Sequence, residues 1–404
     1  MSREAILTVN TGSSSIKLAA YEVEGDRAGR RVLKATLSGL PDGRDFSASI
    51  DDRAVEHLPK SLQAAGDEKG DLVAALAGWA SEALGDRDIR GVGHRVVHGG
   101  RDFTGPVRAG AEVVEQLRKL SVLAPSHQEE NLAGVAGIEK LWPDMPQSLS
   151  FDTAFHRTQP RVAELYAIPR ELSDEGLLRF GFHGLSYAHI ADVLEESLAP
   201  EDCGRVVVAH LGSGASLCAM RNGQSAATSM GLTALDGVPM ATRSGSVDPG
   251  LVLHLIKDRG MSAHEVSELL YKRSGLLGLS GISGDVRQLL ASDDPAAREA
   301  LDVYAYRIAR EISSLAGAVQ GLDVLVFTGG VGENSWQVRE RICGRLGWLG
   351  VSLDGTANRE GRRVAHKGGA TVKTLVIPAD EEAVIAREAL SVLSLDGRDQ
   401  SSPR

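Results

Sequence analysis

Ten residues suited to phosphate, carboxylate or metal chemistry stand in or near glycine- and serine-rich turns: Asn10, Lys17, Arg95, Asp152, His183, His210, Arg243, Asp285, Arg287 and Glu381. The first such turn lies in NTGSSSIK, residues 10–17. A glycine permits close backbone approach, three serines supply N–H and hydroxyl donors, and the lysine two residues on adds a fixed cation. A polyphosphate needs these things. An ordinary hydroxyl-rich hairpin has the same composition, and each of the ten residues taken singly also has a structural reading. A lone arginine forms surface ion pairs, a histidine hydrogen-bonds in a core, and an acid favours a helix N-terminus. Neither GxxxxGK(S/T) nor GxGxxG occurs, so P-loop and dinucleotide-binding readings lose their usual support.

The elements that must position these residues read as α/β. Residues 5–9 and 16–23 are apolar runs on either side of the first turn, which predicts a hairpin. Residues 31–58 alternate weakly and supply further strands; 72–84 and 113–123 read as helices. Residues 89–97 form a β-branched run that closes on Gly99 and Gly100, and 148–156 (SLSFDTAFH) is a strand entering a polar corner. Residues 205–220, RVVVAHLGSGASLCAM, repeat the opening pattern 200 residues later, with Gly212 over Gly12 and Ser213 over Ser13. A repeated hairpin implies a repeated domain. Leu301, Tyr304, Ala305, Ile308, Ile312, Leu315 and Ala316 recur at helical spacing and lead to a buried strand at 323–328. That strand ends in a glycine-rich turn, GGVGEN, before a helix over 335–345. A last strand at 375–377 precedes a helix from Glu381 to about 395, capped by Asp380, with Val384, Ile385, Ala389 and Leu393 inward.

At 404 residues two domains are expected, here 1–150 and 151–381, with a helix over about 382–397 completing the first. The formal net charge of −10 opposes sequence-independent binding to nucleic acid or to an anionic membrane, so small ligands are the expected partners. Cys203, Cys218 and Cys343 are odd in number and far apart, which argues against a disulfide framework or a structural zinc site. The N-terminal stretch lacks a long apolar core, and no run of about 18 apolar residues occurs, so a cytoplasmic protein is expected.

NTGSSSIK and GHRVVHGG resemble the two signature stretches of the acetate kinases. The resemblance continues in family order through FDTAFH, GFHG, HLG, TRSGSVDPG, FTGGVGEN and DEE. It implies two ribonuclease H-like α/β domains of the actin-like ATPase fold flanking a nucleotide cleft, and reversible transfer of phosphate from ATP to a short carboxylate. It also implies a homodimer joined through the second domain. Asp152, His183, Arg243 and Arg95 are then the catalytic positions: Arg95 and Arg243 hold the carboxylate and the transferring phosphoryl group, and His183 donates to a phosphoryl oxygen. A carboxylate nucleophile needs no base, so Asp152 is expected to orient Arg243 or a metal's water shell. Asn10 and Glu381 match the family's Mg2+ positions, where Mn2+ is an alternative. ATP or ADP contacts fall to Ser13, Ser15 and Lys17, and to His210, Leu211, Gly212, Ser213 and Gly214. Adenosine falls to Asp285, Val286 and Arg287 with Gly330, Val331, Gly332, Glu333 and Asn334.

The chain departs from the family where Ser213 replaces an Asn, where Leu185, Ser186 and Tyr187 replace TSH, and where Val286 replaces an aromatic. The positions matching the family's methyl pocket are Val97, Ser126, Phe182 and Ala234; Ser126 and Ala234 stand where Leu and Pro are usual. Both changes remove wall volume, so a propionate, butyrate or small hydroxy-acid kinase is the near alternative to an acetate kinase. A non-catalytic actin-like nucleotide switch is the alternative of another class, and it has no use for paired arginines beside an apolar pocket.

Overall fold

The computed structural model describes residues 3–12, 15–40, 43–55 and 57–398. The chain divides into two compact units, Met1–Phe155 with Asp380–Arg404, and His156–Ala379.

Unit 1 is built on β1 (Arg3–Thr11), β2 (Ser15–Glu24), β3 (Arg27–Ser38), β4 (Asp45–Ile50), β5 (Arg53–Val55), β6 (Arg87–Val96), β7 (Val107–Arg108) and β8 (Gln147–Phe151). They form one sheet in the order β5-β4-β3-β2-β1-β6-β8-β7. β1 runs antiparallel to β2 and parallel to β6, which runs parallel to β8. Alternation along the strands sends side chains to opposite faces. Leu7, Val9, Ile16 and Leu18 pack against Leu72, Val73, Leu76 and Ile138, from the helices Lys69–Ala83 and Pro125–Leu141. Ile6, Ala19 and Tyr21 pack against Ala386, Ala389, Leu390 and Leu393 of the C-terminal helix Glu381–Arg398. Two glycines on one face of β6 make that second contact possible. A Cβ on Gly91 would lie 2.3 Å from Leu393 Cδ1, and one on Gly93 would lie 2.7 Å from Ile385 Cγ2.

Unit 2 holds β9 (Arg205–Leu211), β10 (Ala215–Arg221), β11 (Gln224–Thr228), β12 (Val324–Thr328) and β13 (Lys373–Val376), ordered β11-β10-β9-β12-β13. β9 to β11 form an antiparallel meander, and β12 and β13 extend the sheet in parallel from β9. This is the pattern of β3-β2-β1-β6-β8, so the repeat anticipated from two hairpins extends to five strands. Both hairpin loops close on a glycine N–H, although over different spans: Gly12 donates to Ser15 O at 2.8 Å, and Gly212 to Gly214 O at 2.9 Å. The helix Pro295–Ala318 buries all seven residues picked out by spacing, and Asp294 caps it by accepting from Ala296 N–H.

Three local expectations change. GGVGEN is a short helix, Gly329–Asn334, rather than a turn: the buried Arg339 takes up the Gly332 and Glu333 carbonyls at its end, so the helix closes without needing a turn. The helix expected over 113–123 is Ala111–Lys119 followed by a 3-10 turn, Leu120–Val122. Asp380 does cap the last helix, accepting from Ala383 N–H, but that helix runs on to Arg398. Among the described residues no helix is long and apolar enough to cross a membrane.

Candidate active site

In unit 1 the parallel strands β1, β6 and β8 end side by side, with Val9 opposite His94 and Arg95 opposite Ser150. Ligands in α/β sheets collect at such carboxyl ends. Here they carry Asn10, Arg95 and Asp152. Arg95 donates to Asp152 through Nε to Oδ1 at 3.0 Å and through Nη2 to Oδ2 at 2.6 Å, a two-pronged ion pair, and its Nη1 donates to Asn10 Oδ1 at 3.1 Å. Glu381, at the start of the C-terminal helix, lies 3.9 Å from Arg95 Nε and accepts from Asn10 Nδ2 at 3.2 Å. Burial works against the Arg95 charge, but the Asp152 and Glu381 carboxylates outweigh it and hold the guanidinium above its ordinary range. Asp152 thus grips the Arg95 guanidinium, a pairing not anticipated from the sequence.

Asn10 and Glu381 each carry a hard oxygen donor, although here the amide nitrogen of Asn10 faces Glu381 while its oxygen accepts from Arg95. Among the described residues no group of three or more His, Cys, Asp or Glu could hold a metal ion. One amide and one carboxylate are donor types that suit Mg2+, which takes one or two protein oxygens and fills its shell with water and phosphate.

Two buried amides on the helix Pro125–Leu141 fix the end of β6. Asn131 Oδ1 accepts from Val97 N–H at 2.9 Å while its Nδ2 donates to Thr11 O, and Gln128 bonds both the N–H and the carbonyl of His98. Val97 is buried by this clamp, which the sequence reading missed. Ser126 belongs to the same helix, but its side chain lies outside the described residues, as does Ser13 altogether. Ser15 opens β2, and Lys17 is exposed opposite Asn10 in the register. Lys69 Nζ, not foreseen, donates to Gly12 O at 2.9 Å.

In unit 2 the GFHG stretch is held by a second histidine. His156, fully buried and with its pKa lowered to about 4 by burial, is neutral at physiological pH. Its Nε2 donates to Phe182 O at 3.0 Å. Gly181 has a φ of +78°, and a Cβ there would lie 2.7 Å from the His156 ring, so only glycine serves. Phe182 is buried; His183 follows in a left-handed conformation, φ 58° and ψ 26°, at the start of the helix Gly184–Ser197. The His183 ring stacks on His210 with centroids 4.3 Å apart and planes at 17°. Each ring has a serine at Nδ1, Ser216 for His183 and Ser186 for His210, both at 2.8 Å. The 212–214 turn adjoins both Nε2 atoms: a Cβ on Gly214 would lie 3.5 Å from His183 Nε2 and 4.0 Å from Arg243 Nη1, and one on Gly212 would lie 3.9 Å from His210 Nε2. Arg243 Nη1 also donates to Ala234 O at 3.1 Å. His183, His210, Gly214, Arg243 and the Ala234 carbonyl thus come together in unit 2.

A cavity of about 970 Å³ adjoins them, lined by Gly212 and Ser213, by Asp285, Val286 and Arg287, and by Gly330, Val331 and Asn334. Asp285 caps the short helix Val286–Ala291 and grips the Arg287 guanidinium, whose bonds hold the carboxylate below its ordinary range. Leu211 and Gly332 are buried in the adjoining backbone, and Glu333 turns aside to accept from Ala379 N–H at 3.0 Å. Trp336 lines the same cavity and was not singled out. It stands beyond GGVGEN, and an aromatic in a helical run carries no signal of where its ring will face.

Paired five-stranded cores of ribonuclease H topology, with glycine-rich strand ends beside a nucleotide-sized cavity, define the actin-like ATPase fold. The chain matches the acetokinase family over residues 5–387. It is 46% identical over 394 residues to an acetate kinase of Rhodopseudomonas palustris, covering 95% of this chain and 97% of the relative. Its structure is similar to a propionate kinase from Francisella tularensis, with a TM-score of 0.84 and 33% identity over 95% and 98% of the two chains. It is also similar to Porphyromonas gingivalis acetate kinase, with a TM-score of 0.81 and 34% identity over 96% and 100%. The chain belongs to the acetokinase family.

Proposed function

We propose that this protein transfers the γ-phosphoryl group of ATP to acetate, giving acetyl phosphate and ADP, and catalyses the reverse reaction equally directly. One acetate oxygen forms a bond to the γ-phosphorus as the bond to the β,γ-bridging oxygen breaks, and that electron pair leaves with ADP. No proton moves, so catalysis rests on alignment and charge. Arg95 binds the carboxylate, held in plane by Asp152. Arg243 and the Nε2 edge of His183 take the transferring phosphoryl oxygens. Asn10 and Glu381 would hold Mg2+ or Mn2+, which neutralises phosphate charge when bound. Ser13, Ser15 and Lys17 serve the phosphates, and the unit 2 cavity takes the adenosine. The supporting observation is that the 212–214 turn both lines a nucleotide-sized cavity and adjoins His183 and Arg243.

Trapping acyl phosphate as a hydroxamate from ATP and acetate tests the reading; no product from acetate or propionate rejects it. A second reading, propionate as a comparable substrate, is favoured by Ser126 and Ala234, with Val97 and Phe182 as the retained apolar wall. A preference for acetate over propionate and glycolate above about a hundredfold in kcat/KM would reject that wider pocket. A homodimer contact through unit 2 is proposed as well, supported by exposed leucines on the helix Pro249–Lys257, Leu251 and Leu253 being 44% and 52% exposed.

A further inference from the structure

His183 Nδ1 leans on a hydroxyl. Ser216 Oγ lies 2.8 Å from His183 Nδ1 and 2.5 Å from the Tyr187 hydroxyl, so the three side chains form one line inside unit 2. Ser216 and Tyr187 are both fully buried, on β10 and in the first turn of the helix Gly184–Ser197, which keeps bulk water out of the line. Tyr187 is also a point where this chain leaves the family's TSH pattern.

A serine hydroxyl has one proton to give and two lone pairs to accept with, so a line in which each hydroxyl passes its proton to the next group runs in one of two directions. A phenol is a better donor than an aliphatic alcohol, and an imidazole nitrogen is a better acceptor than a hydroxyl oxygen. Each bond also strengthens the next when all point the same way. The favoured direction is therefore Tyr187 O–H to Ser216 Oγ, then Ser216 O–H to His183 Nδ1. Burial raises the Tyr187 hydroxyl well above its ordinary pKa, so it keeps the proton it must donate. With Nδ1 accepting, a neutral His183 carries its proton on Nε2, the nitrogen beside Gly214.

We propose that Tyr187, acting through Ser216, is a positioning residue that locks His183 in its Nε2–H tautomer and so aims a hydrogen-bond donor, rather than a lone pair, at a phosphoryl oxygen. The purpose of the lock rests on the phosphoryl-transfer reading above; the tautomer itself does not. The left-handed backbone at His183 gives the lock a further use, since a residue in that region needs outside support to hold its geometry.

Long-range proton–nitrogen correlation spectra of the full chain labelled with ¹⁵N-histidine read the tautomer directly. The expected result is an Nε2–H signature for His183. Tyr187→Phe keeps the ring and removes only the hydroxyl; it should shift His183 toward the Nδ1–H form. It should also lower kcat about tenfold, part of the hundredfold or more that outright loss of an oxyanion donor costs. KM for ATP and acetate should stay within about twofold, the signature of an interaction made in the transition state. Ser216→Ala cuts the same line and should reproduce the shift, and the double variant should be no worse than Ser216→Ala alone. An Nδ1–H signature in the unaltered protein, or an unchanged His183 spectrum in Tyr187→Phe, overturns the proposal. Should Tyr187→Phe fail to fold, the spectrum of Ser216→Ala decides in the same way. An Nε2–H signature that both variants disturb, in a protein making no acyl phosphate, would uphold the lock and reject the assigned reaction.

Discussion

Arg95 and Asp152 meet in a two-pronged ion pair, Nε to Oδ1 at 3.0 Å and Nη2 to Oδ2 at 2.6 Å, with the carboxylate 1% exposed. Two parallel bonds fix a guanidinium in plane as well as in position. Asp152→Asn keeps the shape but loses the charge and one of the bonds, so Arg95 is free to turn toward Glu381. The expected outcome is a fall of about a hundredfold or more in kcat/KM for acetate, with KM for ATP little changed. Steady-state kinetics with each substrate varied measures both.

Trp336 lines the unit 2 cavity, whereas Val286 there is aliphatic and buried. An indole face accepts any base by stacking, worth about 1–3 kcal/mol on replacement by alanine. Trp336→Ala should therefore raise KM for ATP by roughly five- to a hundredfold and leave kcat nearly unchanged. Trp336→Phe should restore most of the affinity. An unaltered KM in the alanine variant removes the ring from nucleotide binding.

Arg339 is 1% exposed and gives its guanidinium to neutral acceptors: Gly332 O, Glu333 O, Asn358 O and Asn358 Oδ1, at 2.6 to 2.9 Å. Arg339→Leu fills the space but strands those oxygens, which should cost about 2–4 kcal/mol of stability. Urea midpoints at constant slope give the value. The Gly329–Asn334 helix loses its end support in the same variant, so KM for ATP should rise with it.

His94 and His156 are buried, and burial lowers each from 6.5 to about 4. Between those values the unfolded chain binds protons that the folded chain refuses, so stability falls as pH drops through that window. Above 6.5 both states are neutral there, and the contribution is flat. Each histidine contributes at most about 1.4 kcal/mol per pH unit. Urea unfolding at several pH values should show the fall, and His94→Gln should make it shallower; equal slopes would deny His94 this role.

The amino-acid sequence by itself determined what depends on near neighbours. Period-two and helical spacing marked β1, β2, β9, β10 and the helix Pro295–Ala318, because side-chain direction repeats with the backbone that carries it. Asp380 was recognisable as a cap because a cap needs only the next few residues. The motifs of the family were legible for the same reason, being short and contiguous. What residue spacing left hidden was the pairing set by strand order, and only the family resemblance had put Asn10 with Glu381. Asn10 meets Glu381 across 371 positions, and Arg95 meets Asp152 across 57. Those distances collapse only once β1, β6 and β8 lie adjacent with the last helix packed on glycines 91 and 93. The Ser216 link between Tyr187 and His183, the Asn131 clamp on Val97 and the Trp336 wall of the cavity were decided in the same way, by tertiary packing. No local rule states which side chains a sheet's register and a helix's rotation will bring face to face.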